Sequence, residues 1–205
     1  MTEIKVGDAV TYQTEAPVKH ISLSSSTRSW GDLIHQIERG DISYDTPYQR
    51  GEVWTSEQRM LLIYSIISGT PIPAIIMNRR PAEAWFAADG AQLPLDVVID
   101  GKQRLSAVRA WLSSDFAVPA SWFDPEDVES TEDTADGPYV RYRGLRRPRQ
   151  RFFDMSAHIP VAEASVKTVA EEAAIYLRVN GSGTMQTQED MDRAAQVVVT
   201  FTDGS

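Results

Sequence analysis

The sharpest constraint on this chain is a change of period inside one short segment. LDVVID, from Leu95 to Asp100, is a β-branched run with the length of a buried strand. Just beyond it, Leu105, Val108 and Leu112 recur at the three-and-four spacing of a helix. The layout is therefore strand, tight glycine turn, helix, with Gly101 at the turn.

The remaining elements follow from the same two periods. Trp30, Leu33, Ile34 and Ile37 predict a short amphipathic helix, with Ser29 as its N-cap and Gly40 just past its end. Thr55 and Gln58 form a capping box, and Met60, Ile63, Tyr64 and Ile67 carry a second helix to Gly69. Pro71 and Pro73 lead into a strand at residues 75–77, and residues 80–94 read as a hairpin-like excursion before the next strand. Thr168 with Glu171 is another capping box, opening a helix that Asn180, Gly181, Ser182 and Gly183 stop. Thr187 caps a last helix over EDMDRAAQ. Residues 1–26 lack a sustained period and read as a tail or an edge strand, residues 27–200 as one domain, and residues 201–205 as a tail.

Charge is distributed unevenly. Residues 111–140 hold eight acidic side chains and no basic one, which predicts a solvated acidic loop near residues 124–137. Residues 141–151 then carry six arginines and no acid, a run that is a natural partner for the acidic one. The net charge of −9 excludes a protein that coats nucleic acid or anionic membrane by bulk charge. Residues 1–110 are nearly balanced, with 11 Lys and Arg against 13 Asp and Glu, so a local basic site is compatible with the total. The absence of cysteine rules out a disulfide framework, a thiolate nucleophile and a Cys-type zinc site. No apolar run reaches the roughly 18–20 residues of a membrane span, and the polar start MTEIKVGDAV is unlike a signal peptide, so a cytoplasmic protein is expected.

Three segments carry groups suited to chemistry. In the first, Asp100, Gly101, Lys102, Gln103 and Arg104 stand at the mouth of a helix, where unpaired N–H groups and the helix dipole attract an anion. Lys102 and Arg104 add positive charge for phosphate oxygens, and Asp100 is suited to hold a divalent cation such as Mg²⁺ or to polarise water. The same residues also fit an Asp N-cap followed by a solvated turn. In the second, Tyr48, Gln49, Arg50 and Trp54 combine an arginine with hydrogen-bonding groups and aromatic rings, a mix that binds phosphate and stacks a base but also simply packs loops. Trp54 alternatively serves as a hydrophobic staple ahead of Thr55. In the third, Asn180, Gly181, Ser182, Gly183 and Thr184 form a polar glycine turn that also reads as a helix C-cap, without the lysine of a Walker A loop.

Taken together, PYQRGEVW, then strand-DGKQR-helix, then LRVNGSGT resemble the DUF-262 family, the N-terminal domain of GmrSD-type restriction enzymes, over about Trp30 to Ala195. The family's hallmark is a DGQQR motif, in which Lys102 here replaces the first Gln. The downstream GSGTMQTQED departs from the Pro-Leu-Thr stretch more usual in the family. The resemblance implies an α+β fold: a ParB/sulfiredoxin-like small mixed sheet with flanking helices and a helical C-terminal part. It also implies binding, and in characterised relatives hydrolysis, of a nucleoside triphosphate that controls cleavage of modified DNA.

On that basis Asp100, Gln103 and Arg104 are the expected catalytic residues, with Asp100 at Mg²⁺. Tyr48, Gln49, Arg50, Gly101, Lys102 and Asn180 are expected to bind nucleotide. The expected partner is DNA or a separate nuclease or DNA-processing protein in a bacterial or phage setting. No His-rich metal-finger segment of an HNH nuclease follows before Ser205, so the expectation is a standalone domain without nuclease activity of its own. A binding module without turnover is the alternative, with Arg146, Arg147 and Arg149 on nucleic-acid phosphates. Phosphoryl transfer by a ParB-fold kinase is a further one, by fold analogy.

Overall fold

The strand and helix expected around Gly101 are β4 (Asp96–Asp100) and α3 (Lys102–Leu112) of a computed structural model, which describes residues 17, 20–49, 51, 53–80 and 94–181. β4 lies inside a five-stranded mixed sheet with β1 (Leu23–Ser29), β8 (His158–Ala164), β3 (Ile75–Arg79) and β2 (Ile42–Ser43), in the order β1-β8-β3-β4-β2. β8 runs antiparallel to β1 and parallel to β3, while β4 runs antiparallel to β3 and parallel to β2. The fold is α+β, as expected.

Both faces of this sheet are covered, which is why Val97, Val98 and Ile99 form an unbroken apolar run instead of an alternating one. On one face Val98, Ile75, Met77, Ile159 and Val161 pack against α1 (Trp30–Glu38), α2 (Ser56–Ser68) and α3. On the other, Ile99 and Ala164 pack against Ala173 and Tyr176 of α5 (Val169–Gly181), the helix that follows the short α4 (Arg147–Arg151). Local chemistry sets the helix ends. The Ser29 side chain accepts the Asp32 N–H, both halves of the Thr55–Gln58 capping box are formed, and Gly69 stops α2 with a φ of 69°. Thr168 and Glu171 likewise exchange side-chain and backbone bonds at the start of α5.

β1 pairs with β8 along its whole length, so the N-terminal segment ends in an edge strand that crosses the boundary placed at residue 26. The acidic stretch differs from expectation. Within it, Glu132–Thr134 forms β6, paired antiparallel with β7 (Gly137–Arg141), which in turn pairs with β5 (Ala117–Pro119) in a second, three-stranded sheet. A run of like charge indicates solvation, and all three β6 residues are indeed exposed, but it does not exclude a hairpin. Here the repulsion is relieved from the arginine run: Arg141 forks onto Glu132 through Nε at 2.8 Å and Nη2 at 3.1 Å, and Arg149 lies 3.8 Å from Asp127. The excursion at 81–93, the last helix over residues 189–196 and the tail 201–205 lie outside the described residues. Among the described residues no helix is long and apolar enough to cross a membrane.

Candidate functional site

The β4–α3 turn is built around Gly101, whose φ of 112° is a backbone conformation that L side chains rarely adopt. A Cβ here would also run into Ile75 Cδ1 and stand 3.3 Å from Arg104 Nη2. Gly101, not Asp100, occupies the N-cap position, and no side chain caps the helix. The N-cap reading of Asp100 is thereby corrected. Asp100 remains the last residue of the strand, and its Oδ2 accepts Arg104 Nη2 at 2.6 Å. Arg104 Nη2 also lies 3.4 Å from the Ala74 carbonyl, so the guanidinium is fixed against the strand rather than swung into solvent.

The other polar groups of the turn reach the preceding loop. Lys102 Nζ sits 3.0 Å from Asp45 Oδ1 and 5.7 Å from the centre of the Tyr44 ring. Gln103 spends both ends of its amide on backbone: Nε2 donates to the Gly51 carbonyl at 2.8 Å, and Oε1 accepts the N–H groups of Val53 at 3.1 Å and Trp54 at 3.3 Å. Gln103 therefore holds the 51–54 loop, a different task from the catalytic one expected of it. Gln49 Nε2 donates to the carbonyls of Val98 at 2.9 Å and Ile99 at 2.6 Å, tying the same loop to β4.

These contacts bring all three sequence segments to one cavity of about 360 Å³. The loop supplies Gln49 and Trp54, the turn supplies Asp100 through Arg104, and α5 supplies Tyr176, Val179 and Asn180. Asn180 is inside α5 rather than in the turn after it, with its Nδ2 donating to the Tyr176 carbonyl at 2.9 Å. Tyr176 was not singled out from sequence, although its position four residues before Asn180 puts the two on one helix face.

Tyr48 does not belong to this lining. It is 1% exposed, its ring packs on Tyr176 at 5.6 Å between centroids, and its hydroxyl donates to Glu172 Oε2 at 3.2 Å. Burial first, and then the Glu172 charge, push its hydroxyl pKa far above the usual tyrosine value. The expectation that it binds nucleotide is corrected on those grounds: the ring is core. Arg149 is corrected too, because its guanidinium is 4.6 Å from the Phe152 ring centre and 5.4 Å from that of Phe123, and so is committed to packing. Arg146 and Arg147 are exposed on the surface and line no part of the cavity. Arg50, Ser182, Gly183 and Thr184 lie outside the described residues.

Among the described residues no three His, Asp or Glu side chains cluster as a metal cage. Among the described residues, Asp100 is the carboxylate that lines the cavity. A lone carboxylate fits the way Mg²⁺ is commonly held beside nucleotides, where waters and phosphate oxygens complete the octahedron.

Residues 30–195, which include every segment of the cavity, match the family described as GmrSD restriction endonuclease, N-terminal domain. The chain belongs to that family. No curated protein matches it. Among solved structures, this GmrSD N-terminal domain is similar to one titled "Structure of the C2221 form of Pnob8-like ParB-N domain", with 11% identity and a TM-score of 0.42. The alignment covers 90% of this chain and 48% of the other, so the chain spans about half the length of that relative.

Proposed function

We propose that this GmrSD N-terminal domain binds a nucleoside triphosphate in the cavity at the β4–α3 turn and hydrolyses it with Mg²⁺. The cycle would regulate, or couple to, a DNA-restricting or DNA-processing protein. The observation carrying this reading is the uncapped N-terminus of α3 opening into a cavity that Lys102 and Arg104 also line. First-turn N–H groups without side-chain acceptors, at the positive end of a helix dipole, are an anion site, and two cations beside them suit a polyphosphate.

Each cation is engaged by a carboxylate that a phosphate group would replace or join. Asp45 is 92% exposed, so its pairing with Lys102 is exchanged at little cost. Arg104 keeps its pairing with Asp100 and presents the remainder of its fork. Arg50, flanked by Gln49 and by Gly51 whose carbonyl binds Gln103, takes the phosphate role the family resemblance implies. Trp54 and Tyr176 provide aromatic surface for a base, and Asn180 provides amide groups for base or sugar. Bound Mg²⁺ would neutralise charge on the transferring phosphate, with Asp100 as its protein ligand. Catalysis in such a site is positioning and electrostatics, with Gln103 acting by holding the loop that carries Trp54.

A second reading, binding without turnover, is favoured by one observation: Gln103 and Asp100 are both already hydrogen-bonded within the chain, so neither is idle to orient a water. The deciding experiment is a thermal-shift panel with ATP, GTP, CTP and UTP plus Mg²⁺, followed by phosphate release for wild type, Asp100→Ala and Arg104→Ala. A ligand that binds the native state raises the melting temperature. A shift with release that both substitutions abolish supports hydrolysis. A shift with equal background release in all three leaves a binding module, and no shift with any nucleotide removes the reading.

A further inference from the structure

Glu172 is fully buried in the first half of α5, and three donor residues converge on its carboxylate. Oε1 accepts Asn78 Nδ2 at 2.7 Å and Arg80 Nε at 2.8 Å, while Oε2 accepts Arg80 Nη2 at 2.7 Å and the Tyr48 hydroxyl at 3.2 Å. Asn78 extends the network to the chain leading into α5, accepting the Val166 N–H at 2.9 Å and donating to the Val166 carbonyl at 3.1 Å. None of Tyr48, Asn78, Arg80 or Glu172 lines the cavity.

What these groups join is the point. Asn78 belongs to β3, in the middle of the sheet, and Arg80 follows directly after that strand. Tyr48 immediately precedes Gln49, a cavity residue. Tyr176 and Asn180 stand four and eight residues beyond Glu172 on the same helix, so they share its face and follow any rotation or shift of it. One carboxylate thus fastens two of the cavity's three walls, the 48–49 loop and α5, to the strand layer that carries the third. A buried ion pair is a poor source of general stability, since well-packed apolar groups often do as well, but it is demanding about geometry.

We infer that Glu172 is a positioning residue of the nucleotide cavity, setting α5 and the Tyr48–Gln49 loop at the spacing the ligand needs; the inference rests on the nucleotide reading above. Removing the Tyr48 hydroxyl unties the loop while keeping the ring, and changing Glu172 unties both walls. The loss then falls on affinity at temperatures where the protein is fully folded, which a merely stabilising network would leave untouched.

The test measures dissociation constants for ATP, GTP, CTP and UTP with Mg²⁺, well below the melting temperature, for wild type, Tyr48→Phe, Glu172→Gln and Glu172→Asp. The control is Val140→Ala, a fully buried site in the second sheet. Amide exchange is followed over residues 46–49 and 173–180 in the same proteins. The expected result is a loss of at least about fivefold for Tyr48→Phe and Glu172→Gln. Partial recovery in Glu172→Asp, no loss in Val140→Ala, and faster exchange in both segments together complete the pattern. Should Glu172→Gln fail to fold, Tyr48→Phe decides. Folded variants that bind within about twofold of wild type, or an equal loss in Val140→Ala, overturn the inference. If wild type binds none of the four nucleotides, it is the nucleotide reading that fails. Exchange alone then decides: a joint rise confined to the Tyr48 and Glu172 variants supports the positioning role, and its absence overturns it.

Discussion

Arg104 and Asp100 face each other across the first turn of α3, with Nη2 2.6 Å from Oδ2 and the two side chains only 11% and 25% exposed. The pair sets two opposite demands on Asp100, which restrains the guanidinium and also offers the carboxylate suited to Mg²⁺. Asp100→Asn separates them. Without divalent cation the variant should bind nucleoside triphosphate at least as tightly as wild type, because Arg104 is released. With Mg²⁺ its phosphate release should fall by about 10²-fold or more, the usual scale for losing a group that stabilises transition-state charge. Titration calorimetry in EDTA and a release assay read the two effects independently.

Gly101→Ala tests the turn itself. The left-handed φ and the Ile75 methyl in the path of a Cβ both oppose alanine. The expected cost is about 1–3 kcal/mol in denaturant unfolding, with loss of the anion binding proposed at the turn. An alanine variant as stable as wild type would show that the turn relaxes freely.

Asp45 is ion-paired with Lys102 and would compete with a bound triphosphate for it. Since surface ion pairs contribute about 0–1 kcal/mol, Asp45→Asn should tighten triphosphate binding by up to about fivefold, with little change in melting temperature. Lys102→Gln should weaken it, and a direct comparison of dissociation constants at one salt concentration checks both.

The arginine run divides into packed and exposed members. Arg149→Ala should lower stability by about 1–2 kcal/mol through lost stacking on its aromatic neighbours. Arg146→Ala and Arg147→Ala should leave the melting temperature nearly unchanged. If the exposed pair touches DNA phosphates, their removal reduces the salt dependence of a gel shift by about one unit of slope each.

Asp96 supplies a pH test of the sheet. Burial raises its carboxyl pKa, against the lowering effect of Arg79 and Arg28 and with the raising effect of Glu163 and Asp41. A carboxyl that binds its proton more tightly when folded opposes folding once ionised, so stability increases as pH falls through the folded pKa. Asp96→Asn should therefore raise the melting temperature at pH 7, and the gain should vanish below about pH 4, where both states of wild type are protonated. A gain that persists there would assign the effect to packing.

What could be read from the chain was local. The period change at Gly101 and the capping pairs Thr55–Gln58 and Thr168–Glu171 are decided within a few residues, and they located the turn and the helix starts where the structure has them. Tyr48 looked like a ligand-binding aromatic because its neighbours are polar, whereas its burial depends on Glu172, 124 residues away. Gln103 looked catalytic because it lies in the motif, yet its bonds run to a loop some 50 positions earlier. The acidic run misled in another way: composition reported its solvation correctly and said nothing about the strand that Arg141 supports.

The strand order also dictates a sequence of assembly. β8 lies between β1 and β3, and Arg28 of β1 is ion-paired with Glu163 of β8, 135 residues later. During synthesis β1 consequently meets no partner strand among the described residues until the chain near residue 160 has emerged. The edges of β1 and β3 that β8 joins stay open until then, a long-range closure that slows folding and leaves both strands exposed to mispairing. A ribosome stalled before His158 should present this protein as a protease-sensitive chain, and one stalled well past Ala164 as a protected one.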